Sequence, residues 1–462
     1  MDEPAVSRRR PERGKPQAAT ANANALSSRF SPVSDSMNAA VADRTFLARS
    51  DLRTLALAAL GGALEFYDFI IFVFFTGAIG QLFFPPDTPD WLRQLQAFGL
   101  FAAGYLARPL GGIVMAHFGD RDGRKRMFML SVLLMALPTL AIGLLPTYAD
   151  IGYAAPLALL GLRILQGAAV GGEVPGAWTF VAEHVPPRHA GFACGTLTSG
   201  LTFGILLGSL IATAVNARFD PEQVLAFGWR IPFLVGGVFG LFAVFLRRLL
   251  AETPVFEEMR RRNELVRGLP LKTVLAGHGR AVVESMLLTW LLTAAIVVVI
   301  LMTPSLIQKL FAIPAATALG AGSVATSALT IGCIAFGLLA DRFGAARMLL
   351  LGSVALMLST YALYLGIAAA PARLVPLYAL AGFCVGVVGV IPTLLVRAFP
   401  PAVRFSGISF AYNVAYAIFG GMTPLFVTLL MQHRQLAPAH YVAALCVVGI
   451  ALALHRWRAA QA

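Results

Sequence analysis

The chain has 462 residues, of which 58% are apolar and only 13% are charged. Soluble domains carry about 25% charged residues, so the composition excludes an ordinary soluble globular protein. The net charge of +13 does not indicate a nucleic-acid partner, because the basic residues fall between long apolar stretches.

Residues 1–50 are predicted to form a disordered basic cytoplasmic tail, because they are rich in Arg, Pro and Ser and contain no long apolar stretch. Apolar segments of about the 20 residues that a membrane-spanning helix needs follow in regular succession. Their predicted ranges are 55–84, 93–117, 125–145, 154–182, 191–215, 228–249, 281–304, 316–340, 346–369, 373–397, 404–431 and 438–455. We therefore predict an all-α integral membrane protein with 12 transmembrane helices.

The distribution of basic residues predicts the orientation of the chain in the membrane. Lys and Arg concentrate in the N-terminal tail, at 121–126 and at 247–280, and alternate connections carry few of them. The positive-inside rule then predicts that both termini are cytoplasmic. The predicted domains are a tail at 1–50, a six-helix bundle at 51–249, a cytoplasmic linker at 250–280, a second six-helix bundle at 281–455 and a short tail at 456–462.

A similar short sequence follows the second predicted span of each half. GDRDGRKR occupies 119–126 and ADRFGAAR occupies 340–347. An acidic-basic-glycine turn at matching places indicates an internal repeat of two parallel six-helix halves.

Several motifs together carry a family resemblance. They are ARPLGG at 107–112, GDRDGRKR at 119–126, RILQGAAVGGE at 163–173, GWRIPFL at 228–234 and ETPVFEE at 252–258. With them the chain resembles the major facilitator superfamily, and within it the metabolite:proton symporter branch. The resemblance implies two bundles that rock about a central site in a bacterial-type cytoplasmic (inner) membrane, with substrate and protons moving together.

Ionisable residues inside predicted spans are costly unless paired, so each is a candidate for function. Glu65 and Asp68 share one face of the first span, Arg108 lies in the second and Glu173 in the fourth, all at similar depth. These charges form either a structural ion-pair cluster or a coupled site. Our hypothesis is the coupled site, in which a carboxylate takes the proton and Arg108 contacts an anionic substrate.

Four further residues are candidates for the same substrate and proton site. Arg163 and Gln166 lie three residues apart in the fourth span, and in the superfamily the position of Arg163 is associated with proton movement. Asn413 and Tyr416 share one face of the eleventh span, where they can line a cavity opposite Arg108. A lipid-belt or core position is the alternative for Tyr416, and snorkelling to the interface is the alternative for Arg163.

The repeated turn is predicted to control the equilibrium between conformations rather than to perform chemistry. The alternative, that its basic residues only set topology, does not explain the acidic residue and the glycine among them. The predicted switch residues are Gly119, Asp120, Arg121, Gly123 and Arg124 in the first half and Asp341 and Arg342 in the second.

The resemblance implies a symporter that imports a small organic acid, such as a di- or tricarboxylate, an oxo-acid or a shikimate-like compound. The alternative is a zwitterionic osmolyte such as proline or betaine. We rank it second because the sequence ends soon after the last span, without the coiled-coil tail of some osmolyte transporters. The expected partners are an anionic small molecule and the lipid bilayer, and we expect a monomer.

Catalytic signatures are missing from the sequence. It contains no HExxH, GxSxG or Walker loop, so we predict that it is not an enzyme. The four cysteines stand singly in apolar runs, which predicts neither a disulfide nor a metal site. We expect no cofactor, and the coupling ion is expected to be the proton.

Overall fold

The computed structural model of the chain describes residues 46–265 and 268–459, and these residues form helices and connections without a β-strand. The predicted tail at 1–50 therefore lies almost entirely outside the described residues, as do the last three residues of the predicted tail at 456–462. The main helices are α1 (Arg49–Phe74), α2 (Asp90–Asp122), α3 (Arg124–Leu144), α4 (Ala154–His184), α5 (Ala190–Arg218), α6 (Arg230–Arg248), α7 (Pro254–Arg261), α8 (Pro270–Gly277), α9 (Gly279–Ala294), α10 (Ala315–Phe343), α11 (Ala345–Ala369), α12 (Leu374–Val385), α13 (Arg404–Ala415) and α14 (Ala437–Ala459).

Three of these helices continue past a change in helical pitch. A π-helical segment, Ala295–Met302, joins α9 to the helix Thr303–Phe311, and a second one, Tyr416–Gly420, joins α13 to Gly421–Met431. A 3₁₀ segment, Gly386–Gly389, joins α12 to Ile391–Ala398. Short helices in the connections are Thr76–Phe83, Tyr148–Ile151 and Pro221–Gln223.

The all-α membrane fold predicted from the apolar runs is confirmed. Within the described residues, 11 helical runs are long and apolar enough to cross a bilayer. Helix α2 is not among them, although it has 33 residues and presents Leu106 and Leu110, each 70% exposed, on its outer face. The number of 12 spans and the cytoplasmic position of both termini therefore stay predictions.

Helices α2 and α5 of the first half pack against the second half of the chain. In the first half α2 packs on α4, α1 on α5 and α3 on α6. In the second half α10 packs on α12 and α11 on α14. Helix α5 also packs against α10, and α2 against α13. These two pairs form most of the contact between the halves, and the candidate site lies beside them.

The predicted linker at 250–280 contains two helices, α7 and α8, of eight residues each. Helix α7 begins after Thr253, whose hydroxyl accepts a hydrogen bond from the backbone N–H of Phe256 at 3.2 Å, as an N-cap does. The polar composition of this segment had predicted only a connection. The division into the predicted domains stays a prediction.

Candidate functional site

Arg108 lies in α2 among three tyrosine rings. Its guanidinium carbon is 4.2 Å from the ring centroid of Tyr416, 5.4 Å from that of Tyr412 and 5.5 Å from that of Tyr105. The residue is 1% exposed, and its Nε donates a hydrogen bond to Asn413 Oδ1 at 3.4 Å. Its Nη2 has no hydrogen-bond partner among the described residues. The cation is thus held by aromatic faces and retains a donor for an additional acceptor.

The tyrosines belong to a larger aromatic wall. Tyr105 of α2 and Tyr416 stack with their centroids 5.7 Å apart, and Trp178 of α4 meets Tyr412 edge-on at 5.0 Å. Tyr416 is the first residue of the π-helical segment after α13, and such segments often occur at functional sites. Three helices from both halves of the chain therefore build one aromatic site around Arg108.

Asn413 connects α13 to α4 beside Arg108. Its amide nitrogen donates to the carbonyl of Gly171 at 2.6 Å and to the carbonyl of Ser409 at 2.9 Å. A Cβ atom at Gly112 would collide with the Asn413 amide. Asn413 therefore holds the halves together in this conformation, and its predicted role in substrate binding stays a prediction.

Arg163 and Gln166 form a buried polar chain within the first half. Arg163 Nη1 donates to Gln166 Oε1 at 2.7 Å, and Gln166 Nε2 donates to the Thr139 hydroxyl at 2.7 Å. The Arg163 guanidinium carbon also lies 4.2 Å from the ring centroid of Phe72. Arg163 is fully buried, so the structure does not show the snorkelling alternative.

Asp68 is fully buried between α1 and α6. A Cβ atom at Gly240 would lie 3.0 Å from Asp68 Oδ2, and one at Gly236 would collide with Oδ1. Neither carboxylate oxygen has a hydrogen-bond partner among the described residues. The Thr139 methyl lies 3.1 Å from the same Gly236 position. The pocket of Asp68 is therefore next to the polar chain of Gln166.

Glu173 is paired with a cation that the sequence had not identified as part of the site. Its Oε1 lies 3.3 Å from Nη2 of Arg247, and both side chains are at most 3% exposed. Arg247 Nη1 also donates to the carbonyl of Phe128 at 2.8 Å. The sequence had placed Arg247 in a cytoplasmic basic run, but α6 carries it into the protein interior.

The predicted cluster of mutually neutralising charges is not seen among the described residues. Asp68, Arg108 and Glu173 have different surroundings: two glycines, an aromatic site and Arg247, respectively. The cause is helix rotation, because equal depth along three helices does not place side chains on facing sides. The side chain of Glu65 lies outside the described residues.

A buried ion-pair network closes the predicted cytoplasmic end. Glu183 of α4 lies 3.0 Å from Arg124 Nε and 2.9 Å from Arg404 Nη1. Asp120 lies 3.7 Å from Arg124 and accepts a hydrogen bond from the backbone N–H of Ser406 at 2.9 Å. Because Arg404 and Ser406 begin α13, the network joins the two halves.

Asp341 occupies the matching place in the second half. Its two carboxylate oxygens accept hydrogen bonds from the backbone N–H groups of Gly191 and Phe192, each at 2.7 Å. Those groups lie at the N-terminus of α5, where a negative charge is favourable. Asp120 and Asp341 therefore each contact the start of a helix in the opposite half.

The other predicted switch residues divide into packing and surface positions. Gly123 has φ +117°, which side-chain-bearing residues rarely adopt, and a Cβ atom there would be 2.6 Å from Glu252 Oε2. A Cβ atom at Gly119 would collide with the ring of Phe405 of α13. Both glycines therefore allow close approach at the network.

Arg121 and Arg342 lie outside the network. Arg121 Nη1 is 3.3 Å from His117 Nε2 on the exposed side of α2. The Arg342 guanidinium carbon is 5.3 Å from the ring centroid of the adjacent Phe343. These contacts place both side chains on their own helices and not across the contact between the halves.

Sequence reasoning missed four residues of the buried networks: Arg247, Glu183, Arg404 and Thr253. The Thr253 hydroxyl donates to Glu183 Oε2 at 2.9 Å. The charged ones each lie within a few residues of a predicted span end, where the pattern is equally compatible with burial and exposure, so the sequence alone does not distinguish them. Their partners depend on tertiary packing.

Comparison with known proteins agrees with this architecture. The sequence profile described as Major Facilitator Superfamily matches residues 58–424. A solved structure of the proton:xylose symporter XylE bound to 6-bromo-6-deoxy-D-glucose aligns with a TM-score of 0.73 at 17% identity, covering 88% of this chain and 95% of that one. At this identity the likeness concerns the fold alone.

Two bacterial relatives resemble the chain over most of its length. A putative proline/betaine transporter of Staphylococcus aureus (strain COL) is 31% identical over 406 residues, covering 87% of each chain. The glycine betaine/proline/ectoine/pipecolic acid transporter OusA of Dickeya dadantii (strain 3937) is 31% identical over 414 residues, covering 86% of this chain and 81% of its own. Both relatives are transporters rather than enzymes.

Proposed function

Because the chain belongs to the Major Facilitator Superfamily, a family of multi-pass membrane transporters, we propose that it is a proton-coupled symporter for a small zwitterionic osmolyte such as proline or betaine. The names of the relatives support this cargo. The sequence had ranked it second, after an organic acid, and the relatives named above give the organic acid no support.

The surroundings of Arg108 carry the proposal. A zwitterion such as betaine has one carboxylate and one compact cation. The carboxylate fits the Arg108 guanidinium, which retains a donor. Tyr105, Tyr412 and Tyr416 already surround this cation, and aromatic rings of the same wall attract a quaternary or secondary ammonium as well. The site thus offers both charges of the cargo a partner within one aromatic wall.

The same surroundings disfavour a di- or tricarboxylate. A second carboxylate would have to lie against tyrosine faces, whose negative quadrupole repels anions. Of the other buried cations in this half, Arg247 is already neutralised by Glu173 at 3.3 Å, and Arg163 donates to Gln166 at 2.7 Å. One available guanidinium matches one negative charge.

Asp68 is the residue that we assign to the coupling proton. An ionised carboxylate that is buried without a hydrogen-bond donor is costly, and neither carboxylate oxygen of Asp68 has a hydrogen-bond partner among the described residues. Proton uptake removes this cost and allows the neutral side chain to stay between α1 and α6. Return to the ionised form then requires the water access that a change of conformation supplies.

The ion-pair network at the predicted cytoplasmic end is expected to be formed in the conformation closed at that end and broken in the conformation open at that end. Asp120, Glu183 and Asp341 make their contacts between the halves only when α2 meets α13 and α5 meets α10. Loaded with proton and substrate, the protein must break these contacts to release cargo inside. Alternating access is then a population shift that both ligands bias.

The cargo is tested by uptake into proteoliposomes with an inward proton gradient. We expect labelled betaine or proline to accumulate, with competition by the unlabelled compound and none by citrate or 2-oxoglutarate. Arg108→Lys should raise the apparent KM about tenfold or more, because the planar guanidinium and its remaining donor are lost, whereas the control Arg218→Lys at an exposed position should not. Competition by citrate alone would assign the organic acid instead.

The aromatic contribution and the proton are tested in the same vesicles. Tyr416→Phe keeps a ring face and should retain betaine affinity, while Tyr416→Leu should lose it severalfold. Asp68→Asn should abolish gradient-driven accumulation but retain exchange of labelled for unlabelled substrate, and the exposed control Asp87→Asn should retain both. Gradient-driven accumulation by Asp68→Asn would remove Asp68 from the coupling role.

A further inference from the structure

A groove of about 750 Å³ opens between the inner half of α2 and the linker helix α8. It is unrelated to the aromatic site, because its walls belong to the outer face of α2. Its lining is almost entirely apolar. The lining residues are Ile113, Val114, His117, Phe118, Leu269, Leu271, Lys272, Leu275 and Ala276.

The position of the groove matches one leaflet of a bilayer. Ile113 and Phe118 precede the end of α2 at Asp122 by nine and four residues, which is roughly 14 Å and 6 Å along the helix axis. A leaflet is about 15 Å deep. On the linker side, Leu269 is 62% and Leu275 is 52% exposed. Leucines so exposed at the N-cap and within a short linker helix indicate that α8 lies in the membrane interface.

Positive charge borders the groove where a lipid headgroup would lie. Lys272 is an exposed residue that lines the groove. Arg121 contacts His117, another lining residue, at 3.3 Å. Asp122 is the exposed carboxylate at this end of α2. Two cations against one carboxylate give the rim of the groove a net positive charge.

We infer that this groove binds an anionic phospholipid. One acyl chain lies between α2 and α8, and the phosphate contacts Lys272 and Arg121. The apolar lining fits the chain, and the basic rim selects the anionic headgroup over a zwitterionic one. The site is independent of the cargo that the protein carries.

The lipid would favour the conformation with the closed cytoplasmic end. Helix α8 packs against α2 in the first half and against α9 and α13 in the second. Opening this end separates α2 from α13 and breaks the hydrogen bond that the Ser406 N–H donates to Asp120. That movement changes the spacing of α2 and α8, so a lipid bound between them stabilises the closed arrangement by linkage.

The test compares phosphatidylglycerol with phosphatidylcholine in nanodiscs holding the full chain. We expect Tm to rise with the mole fraction of phosphatidylglycerol beyond any rise with phosphatidylcholine. Native mass spectrometry should show retained phosphatidylglycerol. Lys272→Gln, which removes the headgroup contact, and Ala276→Trp, which fills the groove from an exposed position, should each lose about half or more of this Tm increment.

The control is Arg248→Gln, which removes an exposed charge at the same end of the molecule outside the groove lining. It should keep the full increment. Equal increments with the two lipids would overturn the proposal. The proposal would also fail if Lys272→Gln and Ala276→Trp kept the full Tm increment of the unmodified chain. An equal loss of the increment in Arg248→Gln would overturn it too, because it would show that the lipid responds to total charge alone. Betaine or proline uptake is measured separately, so failure of the cargo proposal leaves this test intact.

Discussion

Four arginines are buried at 0 to 1% exposure in the first half. Besides Arg124, which pairs with Glu183, the other three each have a different kind of partner. Arg108 lies among tyrosine rings, Arg163 donates to an amide, and Arg247 pairs with a carboxylate. The partner decides what each cation can do. A guanidinium already neutralised by Glu173 supports the structure, whereas one held by ring faces remains able to bind an anion.

Removing the cation of the buried pair should be strongly destabilising. Arg247→Met leaves Glu173 ionised in the interior without its partner, and we expect a loss of about 3–5 kcal/mol in stability. A fall in Tm of the detergent-purified protein measures it. The double variant Arg247→Met with Glu173→Gln should be more stable than Arg247→Met alone, because the uncompensated charge is gone.

Arg248→Met is the matched control, since the adjacent side chain is exposed and its loss should change stability by less than about 1 kcal/mol. If Arg247→Met and Arg248→Met had the same Tm, the Glu173–Arg247 pair would make no contribution to stability.

At the residue scale, the sequence predicted which charges matter better than it predicted their partners. Asp68, Arg108 and Glu173 stood out because ionisable groups in apolar runs are costly, and all three are buried. Their expected proximity is not seen among the described residues, because it depends on how α1, α2, α4 and α6 rotate about their axes. A periodicity gives the face of one helix but not the neighbour that this face meets.

At the scale of elements, α2 and α4 approach closely through glycine. A Cβ atom at Gly167 would collide with the backbone of Gly104, so only a hydrogen fits between the two helices. This contact orients α2, which carries Arg108, against α4, which carries Glu173. Small residues at helix crossings of this kind are typical of membrane proteins.

Gly167→Ala should therefore destabilise the protein by about 1–3 kcal/mol, as overpacked contacts do. Gly161→Ala in the same helix meets nothing within 4 Å and should be neutral or stabilising by up to about 1 kcal/mol, because alanine is the better helix former. Thermal unfolding of the two variants side by side provides the measurement. Equal stability would show that α4 can move away from α2 at no cost.

Element boundaries were predictable to within a few residues for most spans, because apolar runs end at charged or Gly/Pro-containing turns. The helices in the linker were not, since α7 and α8 are only eight residues long. Nor were the π-helical segments, such as Tyr416–Gly420. A π-helical segment does not change the apolar pattern of the sequence, and tertiary contacts decide where such a segment forms.

At the scale of the whole molecule, two carboxylates hold the predicted cytoplasmic end closed in matching ways. Asp120 binds the start of α13, and Asp341 binds the start of α5. The repeat at 119–126 and 340–347 predicted their equivalence but not the helix termini that they contact. Cys194 and Cys333 are fully buried beside the Asp341 contact, where Gly195 packs on the Cys333 backbone.

Weakening the Asp341 contact should therefore open this end and expose native thiols. Asp341→Asn replaces two charge-assisted hydrogen bonds, each contributing about 1.5–3 kcal/mol, with at most one neutral bond. A net loss of about 1.4 kcal/mol already raises the open population tenfold. We expect maleimide labelling of Cys194 and Cys333, mapped by mass spectrometry, to quicken by about that factor or more.

Labelling of Cys446, buried in α14 away from the contact between the halves, should not change in Asp341→Asn. Arg347→Gln, which removes an exposed charge at the same end, should leave all three rates unaltered. Faster labelling of Cys446 as well would indicate general unfolding rather than opening. Unchanged labelling rates at Cys194 and Cys333 would mean that Asp120 and its partners alone keep this end closed. Asp120 and Asp341 would then not share the closing role that their matching positions imply.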